Sequence, residues 1–177
     1  MGKKSLLSIA KLGNKVLRKK AKKVRDIHNR KIKRIIDDML YTLKKSNGVG
    51  LAAPQVYHSY QILIIASKPN ARYPNAPLMK PRVLINPKII KTSKKKLHDW
   101  EGCLSIPGIR ANVSRYKKIK VSYTTPKGKE KTITLKGFIA RIFQHEYDHL
   151  IGKVYIDHVK SSDMVSEEYY FKRIVKS

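Results

Sequence analysis

The sequence predicts an α+β protein in which mostly antiparallel sheets surround a central helix that carries a His-Glu-x-x-His motif. Strand-like runs follow one another without the strand–helix alternation that is typical of parallel α/β folds. Gly, Pro and Asn separate these runs, and only a few segments have helical periodicity. The length of 177 residues suits one catalytic domain over residues 1–177.

The first predicted element is an amphipathic helix over residues 27–45, in which apolar residues recur at helical spacing. Asn47-Gly48 is expected to end this helix as a left-handed cap. Residues 61–66 and 82–90 are rich in β-branched residues and are predicted strands. Four prolines lie between them, so residues 68–81 are predicted to form a loop.

Two more strands are predicted over residues 116–123 and 131–135, joined by a turn that contains Pro126 and Gly128. A second helix is predicted over residues 138–151. The two ends of the chain are expected to be less regular: residues 1–11 form a basic, loosely ordered start, and residues 160–177 form a tail or helix, with weak helical periodicity over 163–175.

The net charge of +28 admits two interpretations. One is an anionic partner such as a ribosome, another RNA or a membrane surface. The other is a compositional bias, which we favour because 30 of the 40 basic residues are Lys, spread over the whole chain, whereas specific recognition of phosphate tends to use Arg. We therefore expect no specific nucleic-acid partner, and association with the ribosome through the basic surface stays open.

The composition favours the cytoplasm. A single cysteine excludes an internal disulfide framework, and no apolar run reaches the length of a membrane-spanning helix. The apolar run near the start stops at Lys11, which is too early for a signal-peptide core. We expect no membrane partner.

The strongest chemical signal is His145-Glu146-Tyr147-Asp148-His149 on the second predicted helix. The spacing of four residues places both imidazoles on one helical face, where they can bind the same metal ion. Glu146 can then reach a water at the metal without being a ligand itself.

The third ligand decides the class of metalloenzyme, and the residues alone leave it open. The metzincin pattern fails, because Tyr155 stands where that pattern has its third His. A His₂Glu site would use Glu167 or Glu168. The alternative is Cys103, since zinc and iron both accept one thiolate with two imidazoles.

Three blocks of the sequence closely resemble the signature motifs of the peptide deformylase family. They are Gly48-Val49-Gly50-Leu51-Ala52-Ala53-Pro54-Gln55, Glu101-Gly102-Cys103-Leu104-Ser105 and Gln144-His145-Glu146-Tyr147-Asp148-His149-Leu150. The resemblance covers roughly residues 12–160. Two departures lie away from these blocks: Gly13-Asn14-Lys15-Val16 replaces the usual Asp-Pro region, and His158 stands where Arg is common.

The resemblance implies removal of the formyl group from N-formylmethionyl nascent peptides, with release of formate. It implies that Cys103, His145 and His149 bind one divalent metal ion, which is Fe(II) in the native family and which Zn(II) or Ni(II) can replace. Glu146 is implied as the general base. The expected location is a bacterial-type cytosol or an organelle of bacterial ancestry.

The resemblance also suggests which residues contact the substrate. The Gln55 side chain and the Leu104 backbone N–H are expected to stabilise the oxyanion. Gly50 has no Cβ, so a peptide backbone can approach it closely. An apolar pocket for the methionine side chain is expected from Val49, Phe138 and Ile142. Two other functions stay open: a His₂Glu metalloprotease, and a basic ribosome- or RNA-binding module that keeps a metal site without turnover.

Overall fold

Two antiparallel sheets account for most of the fold in a computed structural model, which describes residues 4–46, 48–70 and 73–175. The five-stranded sheet has the order β1-β2-β3-β6-β7, with strands Gly50–Ala52, Ile62–Ser67, Met79–Thr92, Lys118–Thr124 and Glu130–Lys136. The three-stranded sheet has the order β4-β5-β8, with strands Lys96–Cys103, Ile106–Tyr116 and Met164–Ser166. The predicted α+β class with antiparallel sheets is confirmed.

Two long helices, α1 (Arg30–Lys45) and α2 (Gly137–Leu150), pack on opposite faces of the five-stranded sheet. Strand β2 explains this arrangement, because Leu63 and Ile65 face the cluster that contains α2, whereas Ile62 and Ile64 face the cluster that contains α1. A strand that is covered on both faces is apolar at consecutive positions, as this one is. No helix in the described ranges is long and apolar enough to cross a membrane.

Helix α1 begins later than predicted. Asn29 is its N-cap, and the Asn29 side chain accepts a hydrogen bond from the Lys31 backbone N–H at 2.9 Å. This cap satisfies a free backbone donor, so the helix starts at residue 30 rather than 27. At the other end Ser46 is the C-cap in a right-handed conformation. Of the predicted cap, Asn47 lies outside the described residues, and Gly48 has no positive φ.

The four predicted strands are present as β2, β3, β6 and β7, and Gly128 forms the predicted turn between the last two with φ +80°. Strand β3 begins at Met79, inside the predicted loop, because Met79 pairs with Ser67 of β2. Strands β4 and β5 were not predicted. The reason is that the first four residues of β4 are exposed, and buried arginines interrupt the apolar pattern of β5.

The start of the chain differs from the prediction, whereas its end contains part of the predicted helix. From Lys4 onward the start is held in place: Ala10 is fully buried, its N–H donates to the Gln55 carbonyl at 2.8 Å, and the Leu12 N–H donates to the Ser105 carbonyl at 2.9 Å. At the other end strand β8 is followed by a short helical turn, Glu167–Tyr169, and a π-helical turn, Tyr170–Ile174. The helical periodicity there was weak because β5 recruits its first residues as a strand.

Candidate active site

Cys103, His145 and His149 form a buried cluster between the end of β4 and helix α2. Their candidate ligand atoms all lie within 4.8 Å of one another. Cys103 Sγ lies 3.4 Å from His149 Nε2. Elsewhere in the described ranges no three or more His, Cys, Asp or Glu side chains converge in this way.

The electrostatics of the cluster favour a divalent cation. Burial acts to raise the pKa of the Cys103 thiol, but His149 and His145 outweigh it and hold that pKa well below its ordinary value. The His149 Nδ1 atom is buried and has no hydrogen-bond partner among the described residues. A thiolate with two imidazoles is a donor set that zinc and iron both accept, so the residues present fit such an ion.

Glu101 fixes the orientation of His145 and was not singled out from the sequence. Its Oε2 atom lies 2.9 Å from His145 Nδ1. Arg115 donates to both carboxylate oxygens at 2.9 Å, and Arg141 donates to Oε1 at 2.8 Å. Burial acts to raise the pKa of Glu101, but Arg115 and His145 hold it well below its usual range.

The charge of Glu101 determines which nitrogen of His145 can bind a metal. An ionised carboxylate only accepts hydrogen bonds, so His145 Nδ1 must carry the hydrogen. The other ring nitrogen, Nε2, is then left with its lone pair for the cluster. The one sequence signal for Glu101 was its place in the Glu-Gly-Cys-Leu-Ser block, two residues before Cys103.

Asp148, one turn after His145 on α2, belongs to the same network. Arg115 Nη1 donates to Asp148 Oδ2 at 2.6 Å. His158 Nε2 lies 2.7 Å from the same oxygen. His158, one of the two departures from the family pattern, therefore contacts the same carboxylate as Arg115.

Glu146 lies beside the cluster and is buried. Burial raises its pKa to about 7, against the opposing effect of His145 and His149. Its Oε2 atom has no hydrogen-bond partner in the described part of the chain. Gly50 packs directly against it, because a Cβ on Gly50 would lie 2.7 Å from Glu146 Cγ and Cδ.

Gln55 is oriented toward the cluster from a 3-10 turn, Ala53–Val56, that follows β1. Its Oε1 accepts from the Ala52 N–H at 2.8 Å, which directs the NH₂ group toward Cys103 Sγ at 3.4 Å and Ser105 Oγ at 3.3 Å. Leu104 lies between those two residues, and its carbonyl accepts from Lys11 Nζ at 2.8 Å. Both Gln55 and Leu104 line the cleft.

One cleft joins these residues, with an empty volume of about 500 Å³. All the predicted site residues line it except His149, which lies behind it with no exposed surface. Three further lining residues lie outside the three sequence blocks and were not predicted to contact substrate: Tyr73, Trp100 and Arg141. Tyr73 packs on Phe138 with ring centroids 5.2 Å apart.

The two glutamates that were candidates for the third ligand have other partners. Glu167 Oε1 accepts from Arg110 Nη2 at 2.7 Å, and Glu168 pairs with Lys172 at 2.6 Å. Neither belongs to the His and Cys cluster. The His₂Glu interpretation is therefore wrong. The strand just before the two glutamates pairs with β5, and both glutamates form ion pairs with residues outside the cluster.

Comparisons with known proteins agree with the geometry. The family model described as Polypeptide deformylase matches residues 6–165. Peptide deformylase 2 of Nostoc sp. is 50% identical over 173 residues, covering 97% of each chain. Peptide deformylase of Dictyoglomus thermophilum is 41% identical over 160 residues, 90% of this chain and 97% of the relative.

Solved structures give the same result. The class I type b peptide deformylase of Acinetobacter baumannii, with Met-Ala-Ser bound, superposes with a TM-score of 0.86 at 40% identity, covering 89% of this chain and 100% of the other. A peptide deformylase of Synechococcus elongatus in complex with actinonin has a TM-score of 0.77 at 39% identity, with 88% and 81% covered.

Proposed function

Because the chain belongs to the polypeptide deformylase family, we propose which of its residues carry out the reaction. The chain is a hydrolase that removes the formyl group from the N terminus of formylmethionyl polypeptides and releases formate. The observation that carries the assignment of residues is the single cleft in which Glu146 and Gln55 lie beside the Cys103, His145 and His149 cluster.

Cys103, at the end of β4, would hold the metal ion together with His145 and His149 of α2, which is the central helix of the proposed catalytic domain. When bound there, a divalent ion supplies Lewis-acid chemistry: it lowers the pKa of water and polarises the formyl carbonyl. Fe(II) is the native ion in this proposal, with Zn(II) or Ni(II) as substitutes, in line with the resemblance of the three sequence blocks.

Glu146 is the general base in this proposal. It takes the proton of the attacking water and later passes it to the amine that leaves. A pKa of about 7 suits both steps, because such a group accepts and returns a proton near neutral pH. The tight contact with Gly50 restricts where the carboxylate can lie.

Gln55 and Leu104 stabilise the oxyanion. The formyl oxygen gains negative charge as the tetrahedral intermediate forms, and donors that are already oriented stabilise it without reorganising. The Ala52 N–H holds the Gln55 carbonyl oxygen, which supports a donating role for the NH₂ group. The Leu104 backbone N–H is the second proposed donor.

Substrate binding uses strand β1 and the apolar part of the cleft. Strand β1 is an edge strand, so its free side can pair with an extended peptide at Gly50. Val49, Phe138 and Ile142 line the cleft and form the proposed pocket for the methionine side chain.

The experiment that tests this function is formate release from formyl-Met-Ala-Ser by protein prepared without oxygen. A parallel assay uses internal peptides that have no formyl group. Formate release without internal cleavage is the expected result. Cleavage of the internal peptides without formate release would exclude the proposal.

The compartment and the partner follow from the substrate. Formylmethionyl chains arise where bacterial-type ribosomes work, so the proposed location is a bacterial cytosol or an organelle of bacterial ancestry. Binding to polyanions is expected to be weak and sensitive to salt. Saturable ribosome binding that survives elevated salt would instead give the basic surface a docking role.

A further inference from the structure

A fully buried arginine, Arg110, connects the C-terminal segment to the wall of the cleft. The C-terminal segment is defined here as residues 164–174. It begins with β8, where Val165 pairs with Arg110 of β5. Glu167 Oε1 then accepts from Arg110 Nε at 3.0 Å and from Nη2 at 2.7 Å. A guanidinium with no exposed surface requires such a partner, because an unpaired buried charge is costly.

Three aromatic rings enclose the same guanidinium. Its central carbon lies 5.4 Å from the ring centroid of Tyr73, 5.0 Å from that of Tyr170 and 5.4 Å from that of Phe171. Cations are attracted to ring faces at these distances. Two of the rings belong to the C-terminal segment, whereas Tyr73 comes from the connection between β2 and β3.

The rings around Arg110 connect it to the cleft by two routes, one through Tyr73 and one through Tyr170. Tyr73 lines the cleft directly and packs on Phe138, a residue of the proposed methionine pocket. Tyr170 packs on Trp100 with ring centroids 5.6 Å apart, and Trp100 also lines the cleft. Arg110 itself is absent from the lining and has no exposed surface.

We infer that Arg110 is a positioning residue for the substrate site. It holds Tyr73 directly and holds Trp100 through Tyr170, so that both side chains can bind the formyl-peptide. This inference rests on the proposed function of the cleft. Because Arg110 does not line the cleft, loosening it weakens substrate binding and leaves the chemical step intact. Glu167 and Tyr170 of the C-terminal segment thereby support the substrate site through Arg110 and Trp100, although neither residue lines the cleft.

Two adjacent glutamates provide a matched test. Glu167→Gln removes the charge that faces Arg110, whereas Glu168→Gln removes an exposed charge that faces Lys172. We expect Glu167→Gln to raise KM for formyl-Met-Ala-Ser roughly three- to tenfold, the effect of losing about one aromatic contact, with kcat within about twofold. Glu168→Gln should change neither constant. Glu167→Asp keeps the charge, so its KM should lie between the wild-type value and that of Glu167→Gln.

A second measurement uses Trp100, the only tryptophan of the chain. Its fluorescence reports directly on the cleft wall and does not depend on turnover. In Tyr170→Leu and Glu167→Gln we expect a shifted emission in the folded protein, and weaker binding of the product peptide Met-Ala-Ser by the same factor as the rise in KM. Glu168→Gln should keep the wild-type emission.

The two assays separate this inference from the proposed function. Formate release by the wild-type protein tests the function alone. If the wild type releases formate but Glu167→Gln leaves KM and the Trp100 emission unchanged, the inference is wrong and the function stands. A fall in kcat at constant KM would also overturn it, because that result places Arg110 in the support of the catalytic groups instead.

Discussion

Replacing Glu101 with Gln should destabilise the protein and weaken its metal site together. The Glu101 side chain is 4% exposed and receives hydrogen bonds from Arg115 and Arg141, and it lies 2.9 Å from His145 Nδ1. Gln is almost the same size, so the substitution removes the charge and one acceptor without opening a cavity. It also places an NH₂ donor against groups that are themselves donors.

The expected magnitude follows from these contacts. Removing one partner of a buried ion pair typically costs about 3–5 kcal/mol, because the other charge stays buried without compensation. Arg115 keeps Asp148 as a partner, so we expect the lower end of that range, roughly 3 kcal/mol. His145 loses the acceptor that orients it, and losing such a partner typically reduces metal affinity about 10–100-fold.

Two measurements check this prediction: urea unfolding of the metal-free proteins, and metal affinity by competition with a chelator. Asp99→Asn is the control, because Asp99 is 58% exposed and lies 3.8 Å from Arg141. An exposed pair of this kind is worth about 0–1 kcal/mol. A Glu101→Gln protein that unfolds like this control and keeps wild-type metal affinity would refute the reasoning.

Four further substitutions test the proposed roles. Cys103→Ser should weaken metal binding and greatly reduce deformylation, as measured by metal content and formate release; full metal retention would remove Cys103 from the ligands. Glu146→Gln should keep its metal and lose about 10²–10⁴-fold in kcat, since it loses the general base; near-normal turnover would exclude that role. Gln55→Leu should lower kcat by roughly 10²–10³ with little change in KM, and an effect on KM alone would make Gln55 a residue that binds the ground state. Gly50→Ala should lower kcat at unchanged metal content, because its Cβ would collide with the Glu146 side chain, where Cγ would be 2.7 Å away; wild-type kinetics would show that Glu146 can move freely.

Elements with one simple periodicity could be predicted from the sequence. Helix α1 has a single apolar face, and β2 is apolar from Ile62 to Ala66 because it is covered on both sides. Strand β5 could not be predicted in this way. Its buried positions include Arg110 and Arg115, whose charges are neutralised by residues distant in the sequence, and a periodicity argument counts them as exposed.

In the candidate site, too, features that depend on local spacing could be predicted and features that depend on distant residues could not. The spacing of His145 and His149 is local, so the helix alone brings the two imidazoles together. Glu101 contacts Arg115, 14 residues away, and Arg141, 40 residues away, and nothing local in the sequence indicates either contact. The residues alone left the third candidate ligand open between Cys103 and Glu167 or Glu168, and the resemblance to a family favoured Cys103.

The long separations within the site affect the order of events during synthesis. Cys103 can contact His149 only after 46 further residues have been synthesised. Lys11 can bind the Leu104 carbonyl only after 93 further residues have been synthesised. A growing chain that ends before α2 therefore presents one thiol and no metal site. An ion held by Cys103, His145 and His149 would bind only when β4 and α2 have packed together, so its binding free energy would stabilise the completed fold and none of the shorter intermediates.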